Sequence, residues 1–133
     1  MKPSIHHIAI AVRDMDAALT LYTQALGLEV SARRQVPEEG VEIAFLPAGD
    51  GEIELIRPLD TENSVARFLE KRGEGLHHIC LRVACVEEAL ERLRQAGVKT
   101  IGEEPRTNVA GHRYIFLHPL STRGVLIELY EES

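Results

Sequence analysis

The constraint that matters most is an internal repeat. Residues 5–25, IHHIAIAVRDMDAALTLYTQA, align without a gap to residues 76–96, LHHICLRVACVEEALERLRQA, with 8 of 21 positions identical. Ile53-Glu54-Leu55 returns as Ile127-Glu128-Leu129, so the offset grows only from 71 to 74 residues. A chain that repeats a unit of this length is built from two copies of one supersecondary module. Each copy reads β-α-β-β-β. In the first, strand Ile5–Val12 leads to Asp14 or Asp16 as helix N-cap, and apolar residues at helical spacing run to Leu26 before Gly27. Strands Leu28–Arg33, Val41–Leu46 and Glu52–Arg57 follow, parted by turn sequences. In the second, strand Leu76–Val83, helix Val86–Ala96 and strands near Lys99–Glu103, Arg113–Leu117 and Val125–Tyr130 repeat the plan. The expected organisation is α+β: one domain over residues 1–133, made of module 4–58, a linker helix over 63–73 and module 76–131.

Strand alternation singles out four polar residues. Ile8, Ile10 and Val12 make an apolar face for the helix, which leaves His7 on the other face beside Ala9 and Ala11. His78 repeats this opposite Ile79, Leu81 and Val83, while Glu54 and Glu128 oppose the apolar residues of their IEL strands. If two such sheets curve toward one another, the four side chains meet in one cleft. Two imidazoles and two carboxylates suit a divalent ion such as Co2+, Mn2+, Ni2+, Fe2+ or Zn2+, whose charge the carboxylates balance. His6 and His77 fall on the apolar faces and read as structural; His112 and His118 sit in loops. Glu42 shares a face with Ala44 in its strand, and alternation alone leaves it open between a cleft-facing base and an ordinary solvated carboxylate.

Composition narrows the partners. Fifteen basic against 21 acidic residues give a formal charge of −6, which disfavours a nucleic-acid surface. No apolar run has the length of a membrane span, and no signal peptide is apparent at the start. Cys80 and Cys85 are too few and badly placed for a disulfide scaffold, so a reduced, cytoplasmic setting is expected. Arg33–Arg34 and Lys71–Arg72 are the local basic pairs, each read first as a solvated face.

Paired β-α-β-β-β modules with these His and Glu positions resemble the vicinal oxygen chelate superfamily, which includes glyoxalase I and extradiol dioxygenases. Within it the chain is similar to the methylmalonyl-CoA epimerase family, through HHIAIAV, VPEEGVEIAFLP, EIELIRPL, SVARFLEKRGEGLHHICLRV and FLHPLSTRGVLIEL. The resemblance implies a glyoxalase-like curved mixed sheet around a metal cleft, with His7, Glu54, His78 and Glu128 as ligands of a divalent ion, Co2+ ahead of Mn2+, Ni2+ or Zn2+. It implies Glu42 and Glu128 as the two catalytic bases that interconvert the 2R and 2S forms of a CoA thioester through an enolate, in a homodimer. The alternative is a glyoxalase I-type lyase acting on a hemithioacetal. An extradiol dioxygenase has no need of Glu54, and a drug-sequestering binder on this fold lacks the ligands and favours aromatic walls, whereas aromatic residues are 5% here.

Overall fold

The structure, a computed structural model, describes residues 2–132. Met1 and Ser133, the ends of the expected domain, lie outside the described residues. The chain divides into two compact units: His7–His77, and residues 2–6 together with 78–132. The elements run β1 Ser4–Ala11, α1 Met15–Thr20, β2 Ala32–Val36, β3 Val41–Ala48, β4 Gly51–Pro58, α2 Ser64–Arg72, β5 Gly75–Arg82, α3 Val86–Gln95, β6 Thr100–Thr107, β7 Arg113–Leu117 and β8 Ile127–Glu131. The α+β expectation holds.

In the His7–His77 unit the strand order is β2-β3-β4-β1, with β1 parallel to β4 and the other pairs antiparallel. The register fixes which side chains share a face, because directly opposed residues point to the same side. Ala44 opposes Leu55, Leu46 opposes Ile53, and Ile10 opposes Leu55; with Met15 and Val12 they form the buried core beneath α1. The other face carries Ala11, Val41, Ile43 and Ile56, covered by Val65, Phe68 and Leu69 of α2. Asp14 caps α1 by accepting from the Ala17 N–H, and Asn63 caps α2 through the Ala66 N–H. Beyond Thr20 the helix widens into a π turn over Leu21–Ala25. Thr20 and Thr23 hydroxyls donate to the carbonyls of Asp16 and Leu19, a competition that loosens the ladder.

The second unit orders its strands β5-β8-β7-β6, with β5 parallel to β8. Leu81, Ile115, Leu117 and Leu129 face the buried side of α3, Val86, Ala89 and Leu90. Two strands differ from expectation. β2 begins at Ala32, four residues late, because the tight turn from Pro37 to Gly40 sets Val36 against Val41 and pulls the polar Arg33-Arg34-Gln35 into the ladder. β6 runs on to Thr107 as an edge strand with a bulge between Ile101 and Arg106, which apolar periodicity does not register.

On the α1 face, Glu42 is 6% exposed and links three strands. Its two carboxylate oxygens accept from Arg33 Nε and Arg57 Nε, each at 3.0 Å, and Arg33 Nη1 reaches Asp16 of α1 at 2.7 Å. The Arg33 hydrogen bond, helped by Arg57 and opposed by burial, holds the Glu42 carboxyl below its ordinary value of 4.5.

Two predictions follow from this packing. A folded value below the unfolded one means that Glu42 stabilises fully above pH 4.5 and loses its effect as pH falls through the folded value. E42Q therefore costs about 1.5–3 kcal/mol near neutral pH, and urea unfolding at a series of pH values shows the gap to the unsubstituted protein narrowing in acid. Gly40 has φ +70°, and a Cβ there meets Asp60 Oδ2 at 2.8 Å and Asn63 Nδ2 at 2.9 Å. G40A is expected to lose about 1–3 kcal/mol in the same assay.

Candidate metal centre and active site

In the His7–His77 unit the parallel β1–β4 register sets His7 against Glu52 and Ala9 against Glu54. His7, Glu52 and Glu54 therefore share the face away from α1. His7 Nδ1 lies 3.0 Å from Glu54 Oε2, with side chains 7% and 12% exposed. The small Ala9 between them on the strand leaves that approach open. Burial raises the Glu52 carboxyl, and the charge and hydrogen bond of Glu54 add to this, while His7 opposes it. Phe45 stands opposite Glu54 on the same face, with the Arg34 guanidinium 5.8 Å from its ring centre.

The second unit repeats the arrangement. The parallel β5–β8 register sets Cys80 against Glu128, and His78 Nε2 lies 3.2 Å from Glu128 Oε1. Both side chains are about as buried as the first pair, and both lie on the face away from α3. Phe116 opposes Glu128 and meets the His78 ring edge-on, centroids 5.2 Å apart. Each unit thus carries one buried imidazole in contact with one carboxylate, a nitrogen and oxygen donor set suited to borderline divalent ions.

Glu42 does not join either pair. It opposes Arg57 on β4, two residues from the Ala44–Leu55 pair of the α1 core, so it faces α1 and not the His7 side. The register therefore does not bring Glu42 to the His7 side, where the expected role of catalytic base would need it. β3 is apolar on both faces, Val41 and Ile43 toward α2 and Ala44 and Leu46 toward α1. Alternation separates two faces but cannot say which is which.

The remaining histidines have local roles. His77 meets Phe68 edge-on at 5.0 Å, and His118 Nδ1 accepts from the Leu120 N–H at a short 3-10 turn. His6 packs against the Tyr130 ring at 4.6 Å, and His112 stacks on it in parallel at 5.3 Å. His112 Nδ1 is buried without a hydrogen-bond partner among the described residues, which costs a loop about 1–3 kcal/mol. Of the basic pairs, Arg33 is bound to Glu42 and Asp16, Arg34 lies over Phe45, and Arg72 lies over Phe68. Sequence reading passed over Glu52 and Tyr130, although each stands two residues from a named glutamate on its strand and so shares its face. Among the described residues no helix is long and apolar enough to cross a membrane.

Comparison with known proteins places the chain. Residues 6–116 match the model of the glyoxalase/bleomycin resistance protein/dioxygenase superfamily. An ethylmalonyl-CoA/methylmalonyl-CoA epimerase from Cereibacter sphaeroides is 40% identical over 127 residues, spanning 94% of this chain and 95% of that one. The crystal structure of methylmalonyl-CoA epimerase from Mycobacterium tuberculosis is 36% identical with a TM-score of 0.87, covering 97% of this chain and 87% of that one. A methylmalonyl-CoA epimerase solved in complex with methylmalonyl-CoA and NH4+ is 36% identical with a TM-score of 0.86, covering 97% and 94%. With a glyoxalase-like α+β fold and relatives this similar over nearly their whole length, the chain belongs to the methylmalonyl-CoA epimerase family of isomerases, within the glyoxalase/bleomycin resistance protein/dioxygenase superfamily.

Proposed function

We propose that the two units work as one domain, that His7, Glu54, His78 and Glu128 together hold one divalent ion, and that the chain epimerises C2 of methylmalonyl-CoA. The observation that carries the reading is the repeated pair: a parallel register in each unit sets a buried imidazole against a carboxylate, at 3.0 and 3.2 Å. Co2+, Mn2+, Ni2+ and Zn2+ all accept this donor set, and the two carboxylates offset the ion's charge in a buried site. When bound, the ion supplies Lewis-acid polarisation of the substrate's thioester oxygen and free carboxylate.

The chain's own residues move the protons. The C2 hydrogen is flanked by two carbonyl carbons, so its removal leaves a planar, delocalised enolate, and epimerisation needs a proton returned on the opposite side. Glu128 takes the proton on one side. Glu42, facing α1, is replaced in the second role by Glu52, the other carboxyl group besides Glu54 that the β4 register puts on the His7 face. The enzyme acts in the cytoplasm on a CoA thioester. A homodimer is the working form, which would cover strands β2 and β6, the outer strands of their units.

Deuterium incorporation at C2 of (2R)- and (2S)-methylmalonyl-CoA in D2O, followed by NMR with Co2+ present, tests this directly. Exchange with loss of stereochemical purity is expected, and EDTA abolishes it. E128Q loses about 10²-fold or more in rate, while E42Q, compared at a temperature where it is folded, stays within about tenfold. A collapse in E42Q with E128Q unaffected would reverse the assignment of the base. Absence of exchange with metal demonstrably bound would remove the epimerase reading altogether.

A further inference from the structure

The face that carries Glu128 continues past it with an unusual concentration of aromatic side chains. The whole sequence holds three Tyr and three Phe, and three of these six lie here: Phe116 opposes Glu128, and Tyr114 opposes Tyr130. Tyr130 is two residues beyond Glu128 on the same side of β8, a step of about 6.6 Å. In the other direction the residue two positions before Glu128 is Leu126, whose side chain has no hydrogen-bonding group. Aromatic walls with a few placed polar groups are the usual lining of a small-molecule site.

Tyr130 is held more firmly than a strand residue needs to be. His6 tilts against one part of its ring at 4.6 Å, and His112 stacks in parallel at 5.3 Å with an interplanar angle of 5°. Asn108 Nδ2 lies 3.4 Å from the hydroxyl as its donor, which leaves the phenol's own proton for another acceptor. Asn108 is itself fixed, since its Oδ1 accepts the N–H groups of Ala110 and His112 and its own N–H bonds to the His112 carbonyl. The loop from Asn108 to His112 therefore acts as a clamp that holds the Tyr130 ring and its hydroxyl in place.

We propose that the Tyr130 hydroxyl binds the first amide carbonyl of the substrate's pantetheine arm, with Phe116 and Tyr114 receiving the methylenes before it. This rests on the reading of Glu128 as a group at the reacting centre. In a CoA thioester the acyl carbon is followed by sulfur, two methylenes and an amide nitrogen, so the amide lies four bonds away. That reach is comparable to the two-residue step from Glu128 to Tyr130, and an amide carbonyl is the acceptor that a donor-only phenol proton can satisfy. Tyr130 is a binding residue for the arm, and His112 and Asn108 are positioning residues that act through it.

The test compares two synthetic substrates in the metal-loaded enzyme: the N-acetylcysteamine thioester of methylmalonate, which keeps this amide, and its S-pentyl thioester, which does not. Y130F keeps the ring and its stacking but removes the donor. It is expected to lower kcat/KM for the amide-bearing thioester and for the CoA ester about 3–10-fold more than for the S-pentyl thioester, mainly through KM. An equal loss on all three assigns Tyr130 a structural role and overturns the proposal, as does no loss on any. Absence of exchange with methylmalonyl-CoA itself in the unsubstituted enzyme is seen before any variant is compared, and it removes the underlying reaction assignment along with the subsite.

Discussion

Everything proposed for this protein depends on parallel pairing between the first and last strands of each unit. A histidine on one strand and a glutamate on its neighbour touch only if the register puts both on the same side, and a slip of one residue would send one of them into the helical core. The β1–β4 and β5–β8 pairs both hold that register. Their apolar partners lock it: Ile10, Ile53 and Leu55 in the first unit and Leu81, Ile127 and Leu129 in the second pack beneath their helices. The hydrophobic core is thus the device that aims the polar pair, and the pair's buried contact is the consequence.

The same logic explains why one glutamate is turned toward its unit's helix and away from the histidine. Glu42 is as buried as His7, but its neighbours on β2 and β4 are arginines of the same face, and the three close over the start of α1 beside Asp16. A carboxylate held below its usual range by two guanidiniums is a weak proton acceptor, so its electrostatics and its direction agree. A buried carboxylate beside small residues is therefore not a sufficient sign of a base; the identity of the facing strand residues decides.

Much of this was legible in the sequence, for physical reasons that also mark where reading stopped. The repeat follows from aligning the chain with itself and the helices from apolar residues at helical spacing, while the faces of His7, His78, Glu54 and Glu128 follow from period-2 alternation, because each of those strands is strongly apolar on one side only. β3 is apolar on both sides, and there the alternation of Glu42 carried no information about direction until the β4 register supplied it. β2 lies later than the sequence pattern suggests because Arg33-Arg34-Gln35 has no apolar face to read, and its position is set by the turn ending at Gly40. The π turn after Thr20 arises from hydroxyl groups bonding back to the helix, a detail that propensity does not record.

The disposition of the arginines bears on how the proposed CoA ester would be recognised by a chain of net charge −6. Phosphate binding calls for guanidiniums free to turn outward. Here Arg33 and Arg57 are spent on Glu42, while Arg34 and Arg72 lie against Phe45 and Phe68. In the proposed reading, discrimination that does not lean on these four charges is available closer to the reacting carbon, where a neutral donor and apolar walls would select by shape and hydrogen bonding. The face beyond Glu128 offers this combination: aromatic rings for a flexible arm, then one oriented hydroxyl. Binding energy gathered there would act within a few bonds of C2, so on this proposal it would also orient the thioester against the base, which energy from a distant phosphate does less directly.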